Sequence, residues 1–229
     1  QYYFSLNHTK AEWEKAVSQD GFYALFTQMF GDPNIRAAKY EPTLPAGLTQ
    51  PELSLPYEKN KLWAYTSGPH SAWEKEGALA ALDFAPGMSS AGCITTDAWV
   101  LAPADGVVVR TDKGVVILDL DGDGIEQTGW DLMFLHIAID GKVKVGDVLK
   151  KDDKIGHPSC EGGVSTGTHL HFARKFNGEW ILADGPIPFN LDGWIAHNGP
   201  VPYKGTLTKG NQVVTSCTCS DHTTTVIRQ

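Results

Sequence analysis

The chain has 229 residues, 41% of them hydrophobic, enough for one main domain with a real core and short appendages. Its formal charge is −8 and it has no basic run able to track a phosphate backbone, so nucleic acid is not an expected partner. No stretch approaches the roughly 18 to 20 consecutive apolar residues of a membrane helix, so no membrane insertion is expected.

The sequence opens at Gln1 with neither an initiator Met nor a signal peptide, which predicts a product trimmed from something longer. Asn7-His8-Thr9 fits a glycosylation sequon. Thr9 to Asp32 reads as helical with a break at Asp20-Gly21. Trp13, Val17, Phe22, Leu25, Phe26 and Met29 recur there at helical steps, predicting core contacts. Pro42, Pro45, Pro51 and Pro56 then forbid a helix and describe an extended strap. Residues 1–54 are thus expected to form a helical arm and strap, the arm being either a stabilising element or the remnant of an inhibitory propeptide.

From Leu62 the pattern changes to short strands punctuated by Gly, Asp and Pro, predicting a mainly β, antiparallel fold. "AWVLAPADGVVVR" holds two β-rich runs around a turn, and "GVVILDL" and "WDLMFLHIA" read as the arms of a long hairpin. In "KVKVGDVLKKDDKIGHP", Val143, Val145, Val148 and Ile155 alternate with charged residues, as in strands exposed on one side. "HLHFARKFNGEWIL" predicts a further hairpin with Asn177-Gly178 at its tip. The main domain is expected over 55–200, and 201–229 as a β extension with two short strands in "GTLTKG" and "QVVTSCTC". Cys93, Cys160, Cys217 and Cys219 form an even set that predicts disulfides and an oxidising, extracytoplasmic compartment, with the pairing left open. Cys217-Thr218-Cys219 is too tight for a zinc knuckle.

The chemistry centres on "TGTHLHFAR". In a strand, His169 and His171 share a face about 6.7 Å apart along the chain, so they can serve one centre together or line a core as hydrogen-bonded imidazoles. Asp83 lies between Leu82 and Phe84 in an apolar run with no cationic neighbour in sequence, and a buried carboxylate is costly unless paired or bound to metal. His136 in "LMFLHIA" is another polar group in an apolar strand, and His70 sits in a Gly-Pro turn. One shared site explains these groups better than separate accidents. His157 reads as a surface turn residue with a lesser claim to touch substrate, and His8, His197 and His222 have no supporting context. Ser165 and Thr166, in a glycine-flanked loop, are placed to bond a substrate backbone, whereas no G-x-S-x-G elbow supports a serine hydrolase.

The ordered set "GPH", "LDFA", "FLHIA" and "STGTHLHFA" resembles the lysostaphin and LytM type of zinc endopeptidase. The resemblance covers roughly Leu55 to Ala183. The long spacing from His70 to Asp83 resembles the staphylolysin (LasA-like) branch, where most of the family has H-x3-D. It implies His70, Asp83 and His171 as zinc ligands and His136 and His169 as catalytic histidines, without saying which is the base. Such a ligand set leaves a fourth position for water, as a catalytic zinc requires. The implied activity is hydrolysis of peptide bonds beside Gly or small residues in peptidoglycan stems or cross-bridges, by a secreted or cell-envelope enzyme. The alternatives are an endopeptidase of glycine-rich proteins and a non-catalytic wall-binding member of the fold. The acidic charge favours a substrate other than the polyanionic wall, unless separate domains do the targeting.

A second metal question is posed by "DLDGDGIEQTGWD". Asp119, Asp121 and Asp123 alternate before Gly124, like the opening of an EF-hand loop, and with Glu126 they predict calcium at a β-hairpin tip. Trp130 stands where that loop would have its bidentate Glu, and an acidic turn without an ion is the competing reading.

Overall fold

The computed structural model describes Lys15 and residues 21–30, 44–73, 77–87, 92–219 and 221–229. In chain order they form helix α1 (Phe22–Phe30) and strands β1 (Leu62–Ser71), β2 (Leu79–Pro86), β3 (Val100–Leu101), β4 (Gly106–Asp112), β5 (Val115–Asp119), β6 (Trp130–Leu135), β7 (Val148–Leu149) and β8 (Lys154–Gly156). There follow β9 (Leu170–Phe176), β10 (Glu179–Trp180), β11 (Asn190–Leu191), β12 (Trp194–Asn198), β13 (Gly205–Lys209), β14 (Gln212–Thr215), a 3-10 turn (His222–Thr224) and β15 (Thr225–Ile227). The pairing is antiparallel, in a nine-stranded sheet ordered β15-β1-β2-β9-β6-β5-β4-β7 with β10 on β9, a four-stranded sheet β11-β12-β13-β14, and the pair β3-β8. No described helix is long and apolar enough to cross a membrane.

Alternation along the central strands separates the two faces of the large sheet. Leu82, Phe84, Leu132, Phe134, Leu170 and Phe172 point to one side and are fully buried with Tyr57, Trp63 and Phe189, joined by Leu191, Trp194, Ala196 and Leu207 from the second sheet. The residues between them are smaller or polar: Ala81, Asp83, His171 and Ala173 lie on the opposite face, where a lesser cluster of Ala72, Ala78, Ala80, Ile117 and Met133 is buried. The heavy side chains weld the sheets together, and the small ones leave a shallow floor on which polar groups stand.

The strap expected over the proline-rich segment is present from residue 44. Leu53, Leu55 and Tyr57 are buried in the main core, Leu55 N–H donates to Asp192 Oδ2 at 2.8 Å, and Tyr57 bridges Val100. Of the expected helical arm, only Lys15 and residues 21–30 fall among the described residues. Only α1 is continuous helix among the described residues, and Leu25 and Met29, expected as core contacts, are 55% and 62% exposed. Trp13, Val17 and the Asn7 sequon lie outside the described residues. At the tip of the β9-β10 hairpin Asn177 and Gly178 both take positive φ, 49° and 79°, the backbone that this dipeptide tolerates best. The cysteines pair as Cys93–Cys160 and Cys217–Cys219. Residues beyond 200 are built into both sheets, since β13 pairs with β12 and β15 pairs with β1.

The two sheets touch through glycine at Gly68 and Gly205. A Cβ on Gly68 would fall 2.5 Å from Gly205 N and 2.6 Å from Lys204 C, and Gly68 N–H donates to Tyr203 O at 2.8 Å. Gly68→Ala must push β1 off this backbone, so we expect a loss of about 1–3 kcal/mol in denaturant unfolding together with weakened metal retention at nearby His70. Wild-type stability in that variant would show the contact to be slack.

Candidate metal centre

Asp83 and His171 face each other as cross-strand partners in the β2-β9 pair, on the sheet face away from the main core. His70 reaches the same spot through a β-bulge. Ser67 is opposite Asp83 and His70 is opposite Ala81, so β1 carries one more residue than β2 over this interval. Pro69, which has no N–H to give to a ladder, occupies the irregular step. Without the extra residue Pro69, not His70, would oppose Ala81.

The three side chains are buried, with His70 3% and Asp83 and His171 each 6% exposed. Their inward atoms form a nearly equilateral triangle: His70 Nε2 to His171 Nδ1 is 3.0 Å, His171 Nδ1 to Asp83 Oδ1 is 3.1 Å and His70 Nε2 to Asp83 Oδ1 is 3.3 Å. The outer ring nitrogens meet main-chain carbonyls, His70 Nδ1 at Gly68 O (2.8 Å) and His171 Nε2 at Ala72 O (3.0 Å). A carbonyl only accepts, so each outer nitrogen carries the N–H and each inner nitrogen presents a lone pair. Asp83 Oδ1, fully shielded from solvent, has no hydrogen bond. A proton or a metal ion must therefore separate these atoms. A tetrahedral zinc with ligand bonds of about 2.0–2.1 Å has ligand-ligand edges of about 3.3–3.4 Å, close to the triangle, and two imidazoles with a carboxylate suit zinc. The residues fit the ion.

The same crowding shows in the ionisation. Burial works against charge on both partners, yet Asp83 raises the His70 pKa, and the charges of His70 and His169 hold the Asp83 carboxyl well below its ordinary range.

His136 follows β6 directly and takes a φ of 64°, rarely adopted by a residue with a side chain. Its backbone is pinned: Ser159 N–H and Oγ donate to His136 O at 2.6 and 3.0 Å, and Ile137 N–H donates to Gly114 O at 3.0 Å. His169 N–H donates in turn to Ser159 O at 3.3 Å, so Ser159 holds both histidines. Their rings lie 4.5 Å apart, and His169 Nε2 is 3.7 Å from Asp83 Oδ2. Outer nitrogens again meet carbonyls, His136 Nδ1 at Glu161 O and His169 Nδ1 at Gly167 O, both at 2.8 Å. Burial, and after it the charge of His169, lowers the His136 pKa to about 4, so a neutral imidazole presents Nε2 as an acceptor.

All five residues singled out in the sequence thus converge. Ser165, expected to meet substrate, instead bonds Gly167 O (2.7 Å) and approaches His169 Nδ1 (3.3 Å), steadying that loop, and Thr166 is exposed. His157 is not a bare surface residue, since its ring packs on Trp99 at 3.7 Å and its Nδ1 donates to Ala98 O at 2.7 Å. His197 bonds Thr208, His222 lies in the 3-10 turn, and His8 is outside the described residues. Sequence reasoning missed Ser159, and also Tyr203, whose ring stacks on His70 at 4.4 Å while staying half exposed. No local pattern marks either residue.

The acidic loop needs a correction. Asp119, Asp121 and Asp123 bring carboxylate oxygens within 4.8 Å of one another, in a group that includes neither Glu126 nor Asp131. Arg110 takes the two Glu126 oxygens at 2.7 and 2.9 Å and Lys175 approaches at 2.5 Å, and these two cations hold Glu126 as an anion in their own network.

Residues 86–182 match the sequence model of Peptidase family M23, a segment that contains His136, His169 and His171 and stops short of His70 and Asp83. No curated protein matches the chain significantly. Among solved structures, the M23 metalloprotease pseudoalterin from the deep sea superposes with a TM-score of 0.59 over 75% of this chain and 96% of its own, at 21% identity. A zinc-containing peptidase from Vibrio cholerae gives a TM-score of 0.39 at 19% identity, covering 61% of this chain and 41% of that one. Lysostaphin from Staphylococcus simulans gives 0.38 at 21% identity, covering 73% and 82%. The fold is that of the M23 metalloproteases.

Metal content should divide the five residues. His70→Ala, Asp83→Ala and His171→Ala are expected to lose most bound zinc by elemental analysis, while His136→Ala and His169→Ala keep close to one equivalent. Acid should act through His136 separately. Its folded pKa lies below the ordinary value of about 6.5, so its contribution to stability is complete above pH 6.5 and is lost as pH falls to about 4. In metal-free protein, unfolding at pH 4 and pH 7 should show His136→Gln losing less stability on acidification than wild type, by about 3 kcal/mol at most. Equal losses would place the imidazole in contact with water.

Proposed function

We propose that this chain is a zinc-dependent endopeptidase of the M23 type. The observation that carries the reading is the triangle of His70, Asp83 and His171, in which two carbonyl-fixed imidazoles aim lone pairs at a buried carboxylate oxygen. The M23 match over 86–182 supports it, since the two ligands outside that segment are delivered to the same point by β1 and β2. Zinc, when bound by these three residues, supplies an acidified water at about neutral pH and polarises the scissile carbonyl.

The remaining chemistry belongs to the two free histidines. His136 has its N–H spent on Glu161 O and its Nε2 open, so it takes the proton of the attacking water. His169, whose Nε2 lies 3.7 Å from Asp83 Oδ2, is the partner for the developing oxyanion or the departing amine. Ser159 orients both. The alanine-rich floor beside the site suits a substrate backbone lying close, which supports cleavage next to Gly or other small residues. Peptidoglycan stems or cross-bridges are the proposed substrate, acted on outside the cytoplasm, in keeping with the Cys93–Cys160 disulfide. The long His70 to Asp83 spacing supports the staphylolysin-like branch. The charge of −8 favours a second reading, a glycine-rich protein as substrate, because an acidic surface is repelled by a polyanionic wall.

Purified peptidoglycan, a pentaglycine peptide and a glycine-rich protein, each incubated with the zinc-loaded chain, test this directly. Cleavage should vanish on chelation, return with zinc, and fall by about 10²–10⁴-fold in His136→Ala. A zinc-loaded protein that binds peptidoglycan yet turns over none of the three would be a non-catalytic member of the fold.

A further inference from the structure

At the far end of the same sheet face lies a second set of carboxylates that the peptidase reading does not use. Asp119 closes β5, and Asp131, near the start of β6, stands directly opposite it in the antiparallel pair. Cross-strand partners project from one face with side chains about 5 Å apart, so the two carboxylates confront each other. Both residues are completely buried.

They differ in how they are satisfied. Asp119 accepts main-chain N–H groups from Asp121 at 3.0 Å, Gly122 at 3.2 Å and Gly124 at 2.9 Å, which winds the following loop around it. Neither oxygen of Asp131 has any hydrogen-bond partner. The charges that act on Asp131 are those of Asp119, Glu126 and Asp121, opposed by Lys175, its cross-strand partner on β9, and by Arg110, and both of these cations are already engaged by Glu126. Asp119, Asp121, Asp123, Glu126 and Asp131 thus share Arg110 and Lys175 as their cations, leaving an excess of negative charge around a buried carboxylate without a donor. Such a group is expensive to keep unless something positive reaches it.

We propose that the β5-β6 hairpin binds one calcium ion through Asp119, Asp121 and Asp123 from the loop and Asp131 from the strand. Hard oxygen ligands in a loop whose oxygens lie up to 4.8 Å apart suit a large cation with bonds of about 2.3–2.6 Å better than magnesium at about 2.0–2.1 Å. Asp131 takes the place that the sequence pattern gave to Glu126. The site does not depend on the peptidase reading. The ion would tie the open end of the hairpin whose strand β6 runs on to His136, so its effect falls on stability first.

Thermal unfolding of zinc-loaded, calcium-stripped protein is the test, with calcium chloride or magnesium chloride added. About 10 mM calcium should raise the midpoint by about 5 °C or more, and magnesium by much less. Asp131→Asn, which removes a charge from a crowded site, should leave the calcium-free protein at least as stable as wild type and abolish the calcium response. Asp121→Asn, at an exposed loop position, should weaken the response at least tenfold in calcium concentration, and Glu126→Gln should keep it. A wild-type midpoint indifferent to calcium overturns the proposal, as does a response that survives both Asp131→Asn and Asp121→Asn. An equal shift with magnesium overturns the choice of ion.

Discussion

The constraint on which the structure turns is one carboxylate in the middle of a β-sheet. Asp83 lies between Leu82 and Phe84 on β2, with β1 on one side and β9 on the other, so its Oδ1 is shut away from water. An ionised side chain in that position is tolerated only if its surroundings supply charge, and the surroundings here are imidazoles. His171 comes from the partner strand and His70 from a bulge, while His169 approaches the second oxygen from just before β9. Each ring is locked by a main-chain carbonyl and cannot turn its lone pair away. The sheet therefore builds a group of side chains that could hold a cation and that are set before any ion arrives, so their ordering would not be charged against binding.

That rigidity depends on the unequal faces of the sheet. The aromatic and large aliphatic side chains of β2, β6 and β9 lie in the core shared with the second sheet, which fixes the register, because a slip of one residue in β2 or β9 would turn Asp83 or His171 into that core and Phe84 or Phe172 out of it. The opposite face carries alanines, so little rises above the floor except the polar groups. The loops above are clamped by the Cys93–Cys160 disulfide, the Gly92 to Gly167 bridge, and Ser159 between His136 and His169.

What was legible in the sequence was whatever follows from period and cost. His169 and His171 share a site because strand side chains repeat every second residue, and Asp83 and His136 stood out because an idle polar group in an apolar run is expensive. The hairpins were visible through their turn residues, Asn177-Gly178 above all. What escaped was contact at a distance. Tyr203 reaches His70 only because Gly68 and Gly205 let two sheets touch, and neither glycine differs locally from any other. Ser159 acts through its main chain, which has no sequence signature. In α1 the helical period was read as a buried stripe, although Leu25 and Met29 are exposed, because periodicity specifies a face and not what covers it.

The acidic hairpin shows the same limit in sharper form. Counting carboxylates from Asp119 onward selected Glu126, the nearest acid in sequence, yet Arg110 and Lys175 reach it from neighbouring strands and neutralise it there. Asp131, the last residue of the same stretch, is brought across from Asp119 only by the β5-β6 register. Both polar clusters of this protein thus obey one rule. A buried carboxylate stands opposite a second polar residue on the adjacent strand, His171 for Asp83 and Asp119 for Asp131, and the pair becomes tolerable only when positive charge arrives. Where the partner is an imidazole, a single proton can serve until a metal replaces it. Where the partner is a second carboxylate, a proton or a cation can relieve the pair, and burial together with the Asp119 charge raises the Asp131 pKa to about 8.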